Sequence, residues 1–157
     1  MAEIIGVVTD VARALFPQQL QGTVGFNAVS YFKIGEGGWI DPGGGKVPRT
    51  PDATLTDLDA IIDAGRVPSA QRYSADSRAV FQKAFVGSDL VYIAPTTLRC
   101  RCFLDFGEFN DDGFGNSPEL WEIALYDAAD NMLVYGTFPL QLKDITKQLE
   151  DFIRIIF

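Results

Sequence analysis

Apolar and polar side chains alternate most regularly over residues 120–139. Trp121 and Ile123 fall on one face of an extended strand, and Glu122 falls on the opposite face. The following positions supply Asp and Asn, which tolerate the left-handed backbone of a tight turn, and then a second run of β-branched and aromatic residues. The pattern predicts a β-hairpin at the centre of a sheet, with its second strand ending at Pro139.

The same alternation predicts several further strands. They cover residues 24–34, 78–86, 89–94 and 98–106. The second and third of these are expected to pair with each other around the turn dipeptide Gly87-Ser88. In the fourth, Cys100 and Cys102 point the same way, which is a poor geometry for a mutual disulfide. Both cysteines are therefore expected to be reduced and packed in the core.

Other segments show the spacing of a helix. Apolar residues recur every three or four positions over residues 3–16, which predicts an amphipathic helix stopped by Pro17. A second helix is predicted near residues 54–64, with Thr54 as its N-cap. Residues 145–157 also contain a helical stripe, but their β-branched and aromatic ending favours a strand.

Together these elements indicate the fold class. The chain is predicted to form a single domain of the α+β class over residues 1–157, with a mostly antiparallel β-sheet or sandwich and one or two short helices. A chain of this length buries roughly 70% of the surface that it exposes when unfolded, which is enough for one core.

A loop rich in glycine and proline interrupts the pattern at residues 35–51. Six glycines and three prolines in 17 residues predict an irregular segment with an exposed Trp39. The loop does not match a phosphate-binding P-loop, because Ile40 stands where that motif needs glycine and Val47 stands where it needs Ser or Thr. Loops this long in a small domain are usually functional, so we expect this one to contact a partner.

Composition narrows the classes of function. The 13 basic and 21 acidic residues give a net charge of −8, and the basic residues form no stripe, which argues against nucleic acids and anionic membranes as partners. The sequence has no histidine, which removes Ser-His-Asp and Cys-His catalysis. We expect no catalytic residue and no cofactor. The first ten residues lack the basic region of a signal peptide, which predicts synthesis in the cytoplasm.

Acidic residues in the loop before the hairpin raise two further interpretations. Glu108, Asn110, Asp112 and Glu119 have the spacing of a calcium loop with glycine at its sixth position. The first position is Glu where Asp is usual, and strands flank the loop where helices are usual, so a polar turn is the stronger interpretation and no metal is expected. The acids of residues 105–122 also suggest a small glycan hydrolase, although acidic chains contain such clusters without function.

Three segments, taken in order, resemble the N-terminal domain of phage tail-collar fibre proteins. Residues 9–20 lead into Ile-Gly-Glu-Gly-Gly at 34–38, and a proline-rich stretch arrives at Thr-Leu-Thr-Asp-Leu at 54–58. The 121–139 hairpin, with Lys143 just beyond it, completes the match. The resemblance implies a structural domain that anchors a tail fibre to the baseplate, usually as part of a trimer.

Two differences from that family refine the expectation. Its hairpin turn is usually Asp-Gly, whereas residues 130–131 are Asp-Asn, and its long repetitive shaft does not follow the domain here. The second difference predicts a small adaptor in the virion tail that attaches or organises tail fibres at the baseplate. Its expected partners are other tail or baseplate proteins and fibre subunits, and the chain is expected to be a homo-oligomer. The residues expected to contact partners are Trp39, Ile40, Phe152, Ile155 and Phe157.

A carbohydrate-binding module for host adsorption is the first alternative to an adaptor. Trp39, Trp121 and Tyr135 would then be the aromatic platforms for sugar rings. The small glycan hydrolase, with Glu108 and Glu119 as candidate acids, is the second alternative.

Overall fold

Strands and two short helices make up the structure, a computed structural model that describes residues 2–25, 27–62, 79–113 and 115–156. In chain order the elements are β1 (Ala2–Ile5), β2 (Val7–Val8), α1 (Asp10–Gln21), β3 (Val29–Gly35), β4 (Trp39–Ile40), β5 (Val47–Pro48), α2 (Asp59–Ile62), β6 (Val80–Ala84), β7 (Leu90–Ala94), β8 (Thr97–Leu104), β9 (Glu119–Asp127), β10 (Met132–Leu142) and β11 (Leu149–Ile156). The mostly antiparallel sheets and short helices confirm the predicted α+β class.

Two sheets pack face to face around the main core. A five-stranded sheet has the order β2-β10-β9-β3-β6, and a four-stranded sheet has the order β1-β11-β8-β7, in which only β1 and β11 run parallel. Ile34, Ile123 and Leu125 of the first sheet pack with Cys100 and Ile153 of the second. The structure is therefore a sandwich, in which alternate residues of both sheets fill the space between them.

The central hairpin confirms the prediction, except at its end. β9 and β10 are antiparallel and β9 lies in the middle of the five-stranded sheet. Asp130 has a positive φ of 64°, the left-handed conformation that the Asp- and Asn-rich turn predicted. Pro139 does not end the second strand, because β10 continues to Leu142 after a register shift between Thr137 and Gln141. An irregularity of this kind tolerates a residue without a backbone N–H.

The N-terminal helix predicted over residues 3–16 is present, but its predicted bounds are wrong. The β-branched residues before position 9 form β1 and β2, and the helix α1 begins only at Asp10. Thr9 caps it by accepting a hydrogen bond from the Ala12 N–H at 3.2 Å, and the Thr9 hydroxyl donates to the Met132 carbonyl at 2.5 Å. Pro17 lies inside the helix, where it removes one backbone hydrogen bond without ending the element.

Two other predicted elements differ in extent. The strand predicted over 24–34 begins at Val29, and Phe26 lies outside the described residues. The helix predicted near 54–64 is a single turn, Asp59–Ile62, and its last two predicted positions lie outside the described residues. Thr54 does not cap this turn, because it lies five residues before Asp59 and its hydroxyl donates to the Asp52 carboxylate at 2.7 Å.

The expected pairing of residues 78–86 with 89–94 is also wrong. β6 pairs with β3 in the five-stranded sheet, whereas β7 pairs with β8 in the four-stranded sheet. A short 3₁₀ turn, Gly87–Asp89, carries the chain from one sheet to the other. Residue 78 itself lies outside the described residues. The C-terminal segment forms the strand β11 and pairs with β8, as its β-branched ending predicted. In the described ranges no helix is long and apolar enough to cross a membrane.

Burial predicts that both thiols resist modification in the native state. Cys100 and Cys102 are free and buried, and burial raises the pKa of Cys100 to about 12 and that of Cys102 well above its usual value. Because the thiolate is the reactive form, we expect no labelling of the native protein by a thiol reagent at pH 8, and two labelled thiols after denaturation in urea. Rapid labelling of either cysteine without denaturant would contradict this packing.

Candidate functional site

A buried carboxylate lies on the outer face of the five-stranded sheet. Glu122, in β9, is completely shielded from solvent. Its side chain accepts hydrogen bonds from the backbone N–H groups of Asp59 and Ala60, both at 2.8 Å, and from the Tyr135 hydroxyl at 2.7 Å. The carboxylate therefore joins α2 to the two central strands of the sheet.

The chemistry of this contact follows from the helix end. The first backbone N–H groups of a helix have no partner within the helix, so an acceptor placed there satisfies them. Burial raises the pKa of Glu122 to about 7, and the nearby Asp59 charge acts in the same direction, while the three donated hydrogen bonds oppose the shift. Glu122 is thus a structural carboxylate whose charge depends on the donors that surround it.

The glycine-rich loop approaches this carboxylate closely. A Cβ atom on Gly37 would lie 2.6 Å from Glu122 Oε1 and 2.2 Å from the Ala60 nitrogen. Gly38 has a φ of +84°, and its N–H donates to Asp59 Oδ2 at 3.1 Å. Arg49, further along the loop, donates to Asp59 Oδ1 at 2.8 Å. These glycines are therefore needed for close packing against the protein's own carboxylates.

The expectation of an exposed Trp39 in an irregular loop is wrong. Trp39 is only 6% exposed, and its indole N–H donates to the Glu36 carbonyl at 2.8 Å. The loop also contains a small antiparallel pair of strands, β4 with β5. Glu36 is buried as well, and its carboxylate accepts from the N–H groups of Ala79 at 2.9 Å and Glu119 at 3.0 Å. Burial raises the pKa of Glu36. The loop is therefore tied to the sandwich at several points.

A second apolar cluster covers the same face of the sheet. Leu55 and Leu58 pack there with Tyr126 and Tyr135 of the hairpin. Tyr126 stacks on Tyr31 with ring centroids 4.9 Å apart. Both faces of the five-stranded sheet are consequently buried near its centre.

The residues expected to contact partners lie in different environments. Ile40 is 49% exposed and lies opposite Val47, which is 41% exposed, at the tip of the β4–β5 pair. Phe152 is half-buried beneath the Arg99 guanidinium, 4.7 Å from its ring centroid. Ile155 is buried in the core and is therefore not available as a surface contact. Phe157 lies outside the described residues.

The calcium-like loop distributes its oxygens among separate partners within the protein. Glu108 accepts from Lys83 at 2.7 Å, Asn110 from Lys143 at 2.7 Å, Glu119 from Lys46 at 2.9 Å, and Asp112 from the Asn116 N–H at 3.2 Å. In the described ranges no group of three or more His, Cys, Asp or Glu residues is placed to hold a metal ion. Glu108 and Glu119, the two acids considered for hydrolysis, are therefore both in ion pairs with lysines.

Lys143 fastens this loop to the end of β10. The side chain is buried, and its ammonium donates to Asn110 Oδ1 and to the Asp144 carbonyl at 3.1 Å. Its backbone N–H donates to the Pro118 carbonyl at 3.1 Å. Burial lowers the pKa of Lys143, because the charged form is poorly solvated there.

The three aromatic residues considered as sugar platforms are all shielded. Trp39, Trp121 and Tyr135 are at most 6% exposed. A sugar ring stacks on an exposed aromatic face, which none of the three presents in this structure.

Glu122 lies on the face of β9 opposite Ile123, as the alternation predicted, but its contacts with α2 were not predicted. The available signal was a charged residue in the middle of an otherwise apolar strand, since such a residue stays buried only when donors surround it. No family model matches the chain, and no match was found among curated proteins or solved structures.

The variant Glu122→Gln is expected to lower the free energy of unfolding. The amide keeps the size of the side chain, but an NH₂ group, which cannot accept a hydrogen bond, replaces one of the two accepting oxygens. At least one of the three hydrogen bonds is therefore lost. An unsatisfied buried donor costs about 1–3 kcal/mol, measurable by urea unfolding with tryptophan fluorescence at about pH 5, where burial of Glu122 has reduced its contribution to stability only slightly. Glu3→Gln is the control, because it changes an exposed carboxylate whose surface ion pair with Arg154 contributes at most about 1 kcal/mol.

The difference in unfolding free energy between wild type and Glu122→Gln is expected to depend on pH. Because the pKa of Glu122 is about 7 in the folded state and its ordinary value is 4.5, the folded state retains a proton that the unfolded state releases between these pH values. The contribution of Glu122 to stability is therefore complete below pH 4.5 and declines as the pH rises to about 7. The advantage of wild type over Glu122→Gln should shrink across this window, and a constant or growing difference would contradict the burial effect.

The variant Gly37→Ala tests the close approach of the loop. The added methyl group would overlap the Ala60 nitrogen and Glu122 Oε1, so we expect a loss of about 1–3 kcal/mol in the same unfolding assay. Gly44→Ala is the matched control, because a Cβ atom at Gly44 meets nothing within 4 Å and should change stability by less than about 1 kcal/mol. Equal effects of the two substitutions would show that packing against Glu122 is unimportant.

Proposed function

We propose that the protein is a structural component of a phage or phage-like tail, a small adaptor at the baseplate that attaches or organises tail fibres. One observation carries the proposal. The segments that resemble tail-collar fibre proteins are distant in sequence, yet they meet around Glu122. Gly37 and Gly38 come from the first, Leu58 comes from the second, and Glu122 and Tyr135 come from the third.

The contacts explain why such segments would occur together. Gly37 leaves room for the carboxylate of Glu122. Leu58 immediately precedes Asp59, whose backbone N–H donates a hydrogen bond to that carboxylate. The Tyr135 hydroxyl donates another. The first two of these contacts join residues that lie far apart in the sequence. Residues that act together to hold a fold are consistent with a family whose domain is structural.

The proposed contacts with tail, baseplate and fibre proteins lie at exposed apolar positions. Ile40 and Val47 form one such position at the tip of the β4–β5 pair. Ile156, near the end of β11, is 59% exposed, and Phe152 lies on the same face of that strand. Exposed apolar side chains such as these are available for protein–protein contacts.

The alternative functions receive less support from the geometry. The aromatic rings of a carbohydrate-binding module would have to be exposed, whereas Trp39, Trp121 and Tyr135 are buried. The acids of a glycan hydrolase would have to face a substrate, whereas Glu108 and Glu119 are bonded to lysines.

The proposal predicts that the protein is part of the virion. We expect quantitative mass spectrometry of gradient-purified particles to find it in a fixed ratio to other tail proteins, and particles made without its gene to lack tail fibres by electron microscopy. Complementation with an Ile40→Glu, Val47→Glu double variant should restore the protein but fewer fibres, because it places charge at the proposed contact. Ile145→Glu, at an exposed loop position, is the control. Absence of the protein from purified virions would refute the proposal.

A further inference from the structure

The edge strand β7 exposes apolar side chains and an open backbone. It is the last strand of the four-stranded sheet and pairs only with β8 in the described part of the chain. Val91, Tyr92 and Ile93 are 39%, 71% and 45% exposed. Its pairing with β8 is regular over Leu90–Tyr92, before a register shift that precedes Ala94. An edge of this kind can accept another strand.

The other described sheet edges carry the usual protection against such pairing. β1 contains Glu3, which forms an ion pair with Arg154, and β2 is only two residues long. β6 contains Lys83, which is bonded to Glu108. Charges on an edge strand and very short edge strands both prevent strand addition. β7 has neither form of protection, and residues 90–98 contain no charged residue.

The chemistry of this edge fits a second copy of the chain. Two copies that each carry a net charge of −8 repel each other, so a contact between them is favoured where neither presents a charge. The strand is also complementary to itself. In an antiparallel pair about a two-fold axis at Tyr92, Leu90 lies opposite Ala94 and Val91 lies opposite Ile93, so apolar residues face apolar residues. No partner of different composition is needed.

We propose that β7 pairs antiparallel with β7 of a second copy, which joins two four-stranded sheets into one eight-stranded sheet. The contact is isologous, so it closes with two copies. It does not depend on the tail assignment. Because only five residues form the strand, the interface is at the small end of the usual range, and the dimer is expected to be weak.

Sedimentation equilibrium of the full chain tests the proposal. Between about 10 μM and 1 mM, concentrations suited to a weak interface, the mass should rise from one chain towards two. Tyr92→Lys, which places a charge at a 71% exposed position, should weaken dimerisation about tenfold or more through lost cross-strand pairs and charge repulsion. Val91→Lys should do the same from the neighbouring position, and circular dichroism verifies that both variants fold.

The matched control is Ile145→Lys, the same change in charge at a 70% exposed position outside β7. It should dimerise like the wild type. Three outcomes would overturn the proposal: a monomer at every concentration, a trimer as the tail-collar resemblance implies, or equal effects of Tyr92→Lys and Ile145→Lys. A chain that stays monomeric but binds a strand of another tail protein at β7 would also overturn the proposal, because that protein would then be the partner of the edge.

Discussion

The buried carboxylate of Glu122 is the interaction on which the arrangement around the central hairpin depends. A carboxyl group without solvent is tolerated only when hydrogen bonds replace water, and here two backbone N–H groups and the Tyr135 hydroxyl do so. Those donors fix the position of α2 on the sheet. Asp59, at the start of α2, accepts hydrogen bonds from the Gly38 N–H and from the Arg49 side chain. These bonds connect the loop between β3 and α2 to the same site.

This constraint gives the five-stranded sheet two buried faces. One face packs against the four-stranded sheet, and the other is covered by α2, by the segment that precedes it and by the glycine-rich loop. Trp39 is buried for this reason, although its loop has a composition typical of an irregular, exposed segment. Aromatic residues that a sequence suggests as binding platforms can thus be buried in the protein. Contacts with partners are then expected at the exposed sheet edges.

Exposed apolar side chains remain at several places, including α1, β10 and β11 as well as the strand pair and the edge strand named next. The β4–β5 tip carries Ile40 and Val47, and β7 carries an uncharged edge. Elsewhere the lysines are largely occupied: Lys83 and Lys46 pair with Glu108 and Glu119. These exposed apolar positions are the surfaces that the proposed function assigns to contacts with other chains.

Local periodicity by itself determined the central hairpin and most of the strand predicted over 98–106, which ends at Leu104, because strand side chains alternate at every second residue whatever the partner. It also determined the α+β class. Tertiary structure decided what depends on distant residues: that residues 3–8 are strands, since β1 needs β11 and β2 needs β10, and that β6 and β7 belong to different sheets. The burial of Glu122 and Ile155 was decided in the same way, because donors and core neighbours far away in sequence must first be brought beside them.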